Sequence, residues 1–443
     1  MNFIIDQQTL DDLNLLGKFK QHSIFSFFHK VHTRGGEKLL EAMFRQPLTD
    51  AAAMNERSAL FHYFQQQQLA FPFTAQEFEA METYLETPGD ANLLLAGWNA
   101  WRKKGLASLV KDERYATMQH GLQATIQGLQ QLRNFLDTLL PPAEAGGAYQ
   151  KQIAIFGQLL RHPALVALPA GDSYQPLSVM QLARYSYLLR HKLRQEMATL
   201  LALLYELDVL LAVSGVAREH AFTCATALPK SETGVLEVKN LRHPWLAHAV
   251  TNSLLLNEDT NVLFLTGANM AGKSTFMKSL GVTFYLAHMG FPVPAAHMRF
   301  SVKDGMYTSI NVPDNLDMGY SHFYAEVLRV KKVAEAVRDD KDLLVIFDEL
   351  FKGTNVKDAY DATLGVTDAL CAVRDCFFII STHIIEVGAA LQATHANIQF
   401  SFLPTVMEGN QPRYTYTLQM GITNDRHGMM IIRNERILEA ILG

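Results

Sequence analysis

The spacing of apolar positions changes about halfway along the chain. Through the first half they recur among good helix formers, with Gly and Pro sparse inside the long segments. This predicts helices over 36–44, 51–67, 74–85, 113–140 and 149–161. The longest predicted helix runs roughly from 177 to 219, and a breaker-rich stretch, 141–148, separates two others. After about Cys224, short unbroken apolar runs alternate with helical segments. Strands are predicted at 262–266, 343–347 and 377–381, and helices from Lys273 and near Asp358. Such alternation predicts an α/β layer around a central, mostly parallel sheet. The change of pattern places a boundary near Ala225, giving an all-helical domain over 1–225 and an α/β domain over 226–443. No internal repeat is visible.

Composition narrows the class. The chain has 443 residues, 49% apolar and 19% charged, enough for two or three domains with sizeable cores and unlike a disordered chain. A formal net charge of −5 does not announce a nucleic-acid binder, although a local basic patch is compatible with it. The three cysteines, Cys224, Cys371 and Cys376, form no C-x-x-C pair and are odd in number, which argues against a disulfide framework or a zinc site and for a reducing compartment. The first 20 residues lack a basic start followed by an apolar run, so no secretory signal is expected and the cytoplasm is the expected location. The apolar stretch 200–216 carries Glu206 and Asp208 and reads as a buried helix, not a membrane span. The glutamine run from Gln65 to Gln68 reads as a solvated helix end.

Two motifs carry chemistry. Gly267-Ala268-Asn269-Met270-Ala271-Gly272-Lys273-Ser274 fits G-x-x-x-x-G-K-[ST], between an apolar strand and a helix start. A chance match in a chain this long is on the order of one in a hundred from average composition, and the strand–helix setting lowers that further. In such a loop, backbone N–H groups and the positive helix end surround phosphate oxygens. Lys273 would add a full charge at the β- and γ-phosphates, and the Ser274 hydroxyl would ligate Mg²⁺. The bland alternative is an ordinary glycine-rich turn.

The second motif lies about 75 residues on, where the apolar run 343–347 ends in Asp348-Glu349. Acids at the carboxyl end of a buried strand sit where α/β sheets bind ligands. Asp348 is expected to hold Mg²⁺, and Glu349 to orient and deprotonate an attacking water. Ser381-Thr382-His383 ends the next apolar strand, placing His383 within reach of a γ-phosphate or that water. Together these residues point to ATP hydrolysis with ATP and Mg²⁺.

The run Thr266-Gly267-Ala268-Asn269-Met270-Ala271-Gly272-Lys273-Ser274-Thr275 closely resembles the ATPase core of the MutS family of DNA mismatch-repair proteins, in which the Asn-Met pair is characteristic. Arg242-His243-Pro244, Ser321-x-Phe323-x-x-Glu326, Asp348-Glu349-Leu350 with Lys352-Gly353-Thr354 and Asp358, and Thr382-His383 extend the likeness. In the first half, Asp6-x-x-Thr9-Leu10-x-x-Leu13, Ser23-Ile24, Thr33-x-x-Gly36-x-x-Leu39-Leu40, Gln46-Pro47-Leu48-x-Asp50, Arg57 and Glu206-Leu207-Asp208-Val209-Leu210 resemble the family's helical core. The resemblance covers roughly three quarters of the chain. It implies a helical core or lever domain followed by an ABC-type P-loop ATPase. It also implies a homodimer with composite sites, in which one subunit supplies Lys273, Asp348, Glu349 and His383 and the partner's Ser321 completes the γ-phosphate contacts. The dimer would tighten with ATP and relax on hydrolysis, the long helices acting as levers.

Departures qualify what the resemblance carries over. The sequence starts at the helical core, so mismatch reading by the family's Phe-x-Glu wedge is not expected. The clamp segment, about 105–175, is short, and the terminal helices after the stretch Gly421 to Gly428 are cut short. Ala268 and Ala271 stand where the family has Pro and Gly, Phe351-Lys352 where it has Gly-Arg, and Asn355-Val356 where it has Ser-Thr. An alanine at 271 requires a negative φ. Arg102-Lys103-Lys104 and Arg184, Arg190, Lys192 and Arg194 could touch DNA phosphates, with 187, 190, 191 and 194 on one helix face. A solvated face is the competing expectation. Core packing is expected for Tyr185, Tyr187, Trp98 and Trp101. The sequence thus reads as an ATP-dependent DNA-binding protein of repair or recombination, with structured or branched DNA and a repair protein as partners and no membrane. The alternative is a nucleotide-gated scaffold that binds a protein and not DNA. A transporter ATPase is disfavoured by the helical half and by the absence of Leu-Ser-Gly-Gly-Gln.

Overall fold

A computed structural model describes residues 2–90, 92–110, 114–139, 149–169, 177–230, 234–268, 270–310, 322–408, 411–423 and 440–441. The chain divides into two compact units that are interleaved in sequence. One comprises 1–28, 43–62 and 216–443, the other 29–42 and 63–215.

The first unit is built on a six-stranded sheet. Its strands are β1 (Val262–Gly267), β2 (Gly305–Ser309), β3 (Leu343–Asp348), β4 (Phe377–Ser381), β5 (Ile398–Leu403) and β6 (Gln419–Met420), and their order across the sheet is β6-β5-β1-β4-β3-β2. All neighbours are parallel except β5 and β6. Every residue of β1, β2 and β4 is buried, as a parallel sheet covered on both faces requires. The helices α1 (Lys273–His288), α2 (His322–Arg338), α3 (Val356–Cys371) and α4 (Ile385–Gln392) follow β1, β2, β3 and β4. The parallel α/β layer and its three predicted strands are therefore present, with ends shifted by at most one residue.

The sequence pattern missed a second sheet, of order Thr226–Leu228, His297–Ser301, Val235–Leu241, Asn252–Asn257. It also missed the way the N-terminus joins the unit. Ile4 makes a parallel bridge to Gly305 on the sheet's edge strand, with Ile4 N–H donating to the Asp304 carbonyl at 2.8 Å. The helix Gln7–Asp12 then hydrogen-bonds β2, Asp12 Oδ2 accepting from Thr308 Oγ1 at 2.8 Å and from Ile310 N–H at 2.9 Å. An edge strand otherwise presents unpaired backbone groups, and this segment covers them.

The second unit is helical, with Ala51–Gln66 passing into it and Ala75–Glu86, Leu93–Val110, Arg114–Thr138 and Gln150–Leu160 following. Thr74 and Glu77 form a capping box at one helix start. The long helix predicted over 177–219 is broken into Val179–Tyr187, a π-helical turn Leu188–Lys192, and Arg194–Glu219. That turn removes the regular face expected for 187, 190, 191 and 194. Arg190 is held locally: its Nε donates to the Thr87 carbonyl at 2.8 Å and its guanidinium lies over the Tyr84 ring. A second correction concerns Trp98 and Trp101, expected in the core but 63% and 67% exposed. Arg194–Glu219 is the one helix among the described residues long and apolar enough to cross a membrane. It is buried over 72% of its apolar window. Asp208 within it accepts from the His32 and Thr33 N–H groups and from Thr33 Oγ1.

Candidate functional site

The carboxyl ends of β1, β3 and β4 converge on one cluster. After β1 the chain turns through 268–272 into α1, and two glycines make that turn possible. Gly267 has φ +148° and Gly272 φ +101°, conformations that strain side-chain-bearing residues. A Cβ on Gly272 would sit 3.0 Å from the Tyr416 ring. Ala271 is not among the positive-φ residues, which meets the condition for alanine there, whereas Met270 has φ +68° and points its side chain outward, 77% exposed. Gly272 caps α1 without a side-chain hydrogen bond, so the helix's first N–H groups are left for another acceptor.

Lys273 lies under this loop, 5% exposed, and its Nζ donates to the carbonyls of Gly267 at 2.8 Å and Ala268 at 3.1 Å. Burial pushes the ammonium's pKa down, while the charges of Asp348 and Glu349 oppose that shift. Ser274 Oγ donates to Asp348 Oδ2 at 2.6 Å, joining the loop to the end of β3. The other carboxylate oxygen, Asp348 Oδ1, is buried without a hydrogen-bond partner. Burial raises the Asp348 pKa and the neighbouring Glu349 charge adds to the rise, while the Ser274 hydrogen bond opposes it.

Glu349 follows β3 in a left-handed conformation, φ +54°, with its N–H donating to the Ser381 carbonyl at 2.9 Å. This turn swings the side chain toward β4, where Glu349 Oε1 meets His383 Nε2 at 2.5 Å. Lys352 Nζ lies 3.6 Å from the other oxygen. The His383 hydrogen bond outweighs partial burial and draws the Glu349 pKa down to about 2. Two adjacent acids are thus pushed in opposite directions by their surroundings.

A cavity of about 700 Å³ opens beside the loop. It is lined by Ala268, Met270, Gly272, Lys273, Ser274, Thr275 and Glu349 and by Leu241, Arg242, His243, Leu246, Val250, Asn252 and Tyr416. Asn252 fixes Tyr416 by donating to its carbonyl at 2.9 Å and accepting from Leu418 N–H at 2.6 Å. Burial lowers the His243 pKa, and Lys278 adds to this. Among the predicted residues, Lys273, Ser274, Asp348, Glu349 and His383 are brought together; Asn269 and Ser321 lie outside the described residues. The lining residues Leu241 to Val250 named above, Asn252 and Tyr416 were missed as part of a site. Arg242-His243-Pro244 was the one signal available, and nothing in the sequence around Tyr416 marks it.

Fold and cluster define a class: a mostly parallel α/β domain with a glycine-hinged loop and a buried lysine after β1 and an acid pair at the carboxyl end of β3, with β4 between the two strands. Residues 263–442 match the family model of MutS domain V. The likeness to the MutS family is carried by this segment. It is 32% identical over 186 residues to a DNA mismatch repair protein MutS from Petrotoga mobilis, covering 41% of this chain and 22% of that protein. It is 27% identical over 268 residues to MutS protein homolog 4 of Mus musculus, covering 56% and 27%. A DNA mismatch repair protein MutS from Lysinibacillus sphaericus is 27% identical over 250 residues, covering 55% and 28%. The chain thus spans between 22% and 28% of the length of these relatives.

Proposed function

We propose that this chain binds ATP with Mg²⁺ in the cavity at the amino end of α1 and hydrolyses it to ADP and phosphate. The observation that carries the reading is the convergence of Lys273, Ser274, Asp348, Glu349 and His383 around one loop. The triphosphate would lie along 267–275, held by loop N–H groups and by the Lys273 charge. The nucleoside would occupy the side lined by His243, Leu246, Val250 and Tyr416. Ser274 and Asp348 suit a hard cation: both offer oxygen, and Asp348 Oδ1 lacks a partner. Bound there, Mg²⁺ would neutralise phosphate charge.

Glu349 is the group for positioning and deprotonating water. Its pKa of about 2 makes it a weak base while His383 holds it. Catalysis on this reading therefore requires Glu349 to exchange its His383 contact for a water, and His383 is free to turn to the phosphate when it does. Ser321 would complete the site of a second copy, making a homodimer whose closure is driven by γ-phosphate contacts. The relatives named as DNA mismatch repair proteins support a DNA partner. A repair protein is the further partner this setting suggests.

Phosphate release tests the reading. The unaltered protein should turn over ATP only with magnesium. Glu349→Gln should bind ATP and lose roughly 10²-fold or more in turnover. Equal turnover by the two proteins would remove Glu349 from the reaction.

A further inference from the structure

Among its described side chains, the helix Leu93–Val110 carries the largest apolar ones outward. Its inner face is made of Ala96 and Ala100, 3% and 1% exposed, packed with Ala183 of Val179–Tyr187. Its outer face carries Leu94, Trp98 and Trp101, which are 87%, 63% and 67% exposed. Spacings of four and three residues put the three on one stripe. Gly97 lies beside them, and a Cβ placed there would meet no atom within 4 Å. The two indole rings are 6.4 Å apart with planes inclined by 29°. The result is a flat aromatic surface with an open floor.

Charge selects what covers it. From Leu93 to Val110 the sequence contains Arg102, Lys103 and Lys104 and no acidic residue, in a chain of net charge −5. Arg102 and Lys104 are exposed, one turn beyond Trp98 and Trp101. A second copy of this helix would bring like charges together. The carboxylates of an acidic protein surface would answer the cations but not the indole faces. Unpaired nucleotides answer both, because each carries a π-face and a phosphate.

We propose that this face binds unpaired nucleotides, with bases stacking on Trp98 and Trp101 and phosphates meeting Arg102 and Lys104. The assignment deepens the DNA-binding reading above, and it is tested apart from ATP hydrolysis.

The full chain is titrated with an oligothymidylate of about 20 nucleotides and with a duplex of equal length, by anisotropy across a salt series. Indole fluorescence should be quenched by the single strand. Trp98→Ala/Trp101→Ala should bind the single strand about tenfold or more weakly, with duplex affinity changed by less than about twofold and the salt slope kept. Arg102→Gln/Lys104→Gln should reduce that slope by about 1.4. Helical circular dichroism and ATP affinity should match the parent in both variants. The inference is overturned if the unaltered protein fails to bind the oligonucleotide, if the Trp variant binds it equally, or if both nucleic acids weaken together. It is also overturned if the Trp variant changes only self-association in sedimentation or binding to anionic vesicles. Single-strand binding that survives in a protein without ATP turnover would sink the hydrolysis reading and leave this one standing.

Discussion

Asp348 and Glu349 are neighbours in sequence, yet burial raises the pKa of one and His383 lowers that of the other. The consequence is testable through His383. Removing its hydrogen bond in His383→Ala should let the Glu349 pKa rise toward the ordinary 4.5, moving the acid limb of the pH–rate profile upward. An unmoved limb would mean that the contact does not set the ionisation of Glu349. His288 gives a stability prediction. It is fully buried, with Nδ1 at 3.1 Å from the Leu48 carbonyl, and burial pushes its pKa from 6.5 down to about 3. The unfolded chain binds the proton more readily. The neutral ring's contribution is therefore complete above about pH 6.5 and is lost as pH falls toward about 3. Denaturant midpoints should fall with pH across that window, and His288→Leu should flatten the slope. At this scale the loop and the acids were legible, because fixed spacing at strand ends is a sequence property. The Glu349–His383 contact was not, since it depends on the pairing of Ser381 with Asp348 and on a positive φ at Glu349.

At the scale of elements, the loop after β3 shows how a departure from the family pattern is accommodated. Phe351 stands at φ +61°, a conformation suited to the family's glycine, yet its ring is 3% exposed and packs against Phe323 at 5.8 Å. The backbone strain costs about 1–2 kcal/mol. Losing a buried phenyl ring costs about 3–5 kcal/mol. Burial wins, so Phe351→Gly should destabilise by about 2 kcal/mol in chemical denaturation, and a more stable variant would refute the assignment.

The N-terminal segment depends on another buried contact. Arg329 of α2, 6% exposed, pairs with Asp6 and donates from Nε to the Thr308 carbonyl at 3.0 Å, while Lys332 Nζ reaches Asp6 at 2.8 Å. Burial works against ionisation of Asp6, but these cations outweigh it and hold the carboxyl well below the usual range. Asp6→Ala leaves the guanidinium buried and uncompensated, and should cost about 3–5 kcal/mol. Amide exchange at Ile4 and Met306, whose N–H groups join the segment to β2 and its flank, should accelerate; unchanged protection would deny the role. The periodicity revealed the α/β alternation because parallel strands are continuous apolar runs. It missed Val235–Leu241, where buried and exposed positions follow no clean period, and Gln7–Asp12, which is too short to show one.

At the scale of the whole molecule, the two interleaved units explain why a single boundary could not be read from composition: segments 1–28 and 43–62 are helical in pattern yet belong with 216–443. The proposed homodimer belongs to this scale as well. If sites are shared, Ser321→Ala mixed with Lys273→Ala should recover part of the turnover that each lacks alone, because one of the two sites in a mixed dimer keeps both of its halves. Failure of the mixture to exceed its components would argue for self-contained sites.

On the proposed function, the loop 267–275 and Lys273 grip a triphosphate. Equilibrium binding of labelled ATP with magnesium measures that grip. Saturable binding at one site per chain is expected, lost when Lys273 is replaced by alanine. Absence of binding by the unaltered protein, or equal binding by Lys273→Ala, would contradict it.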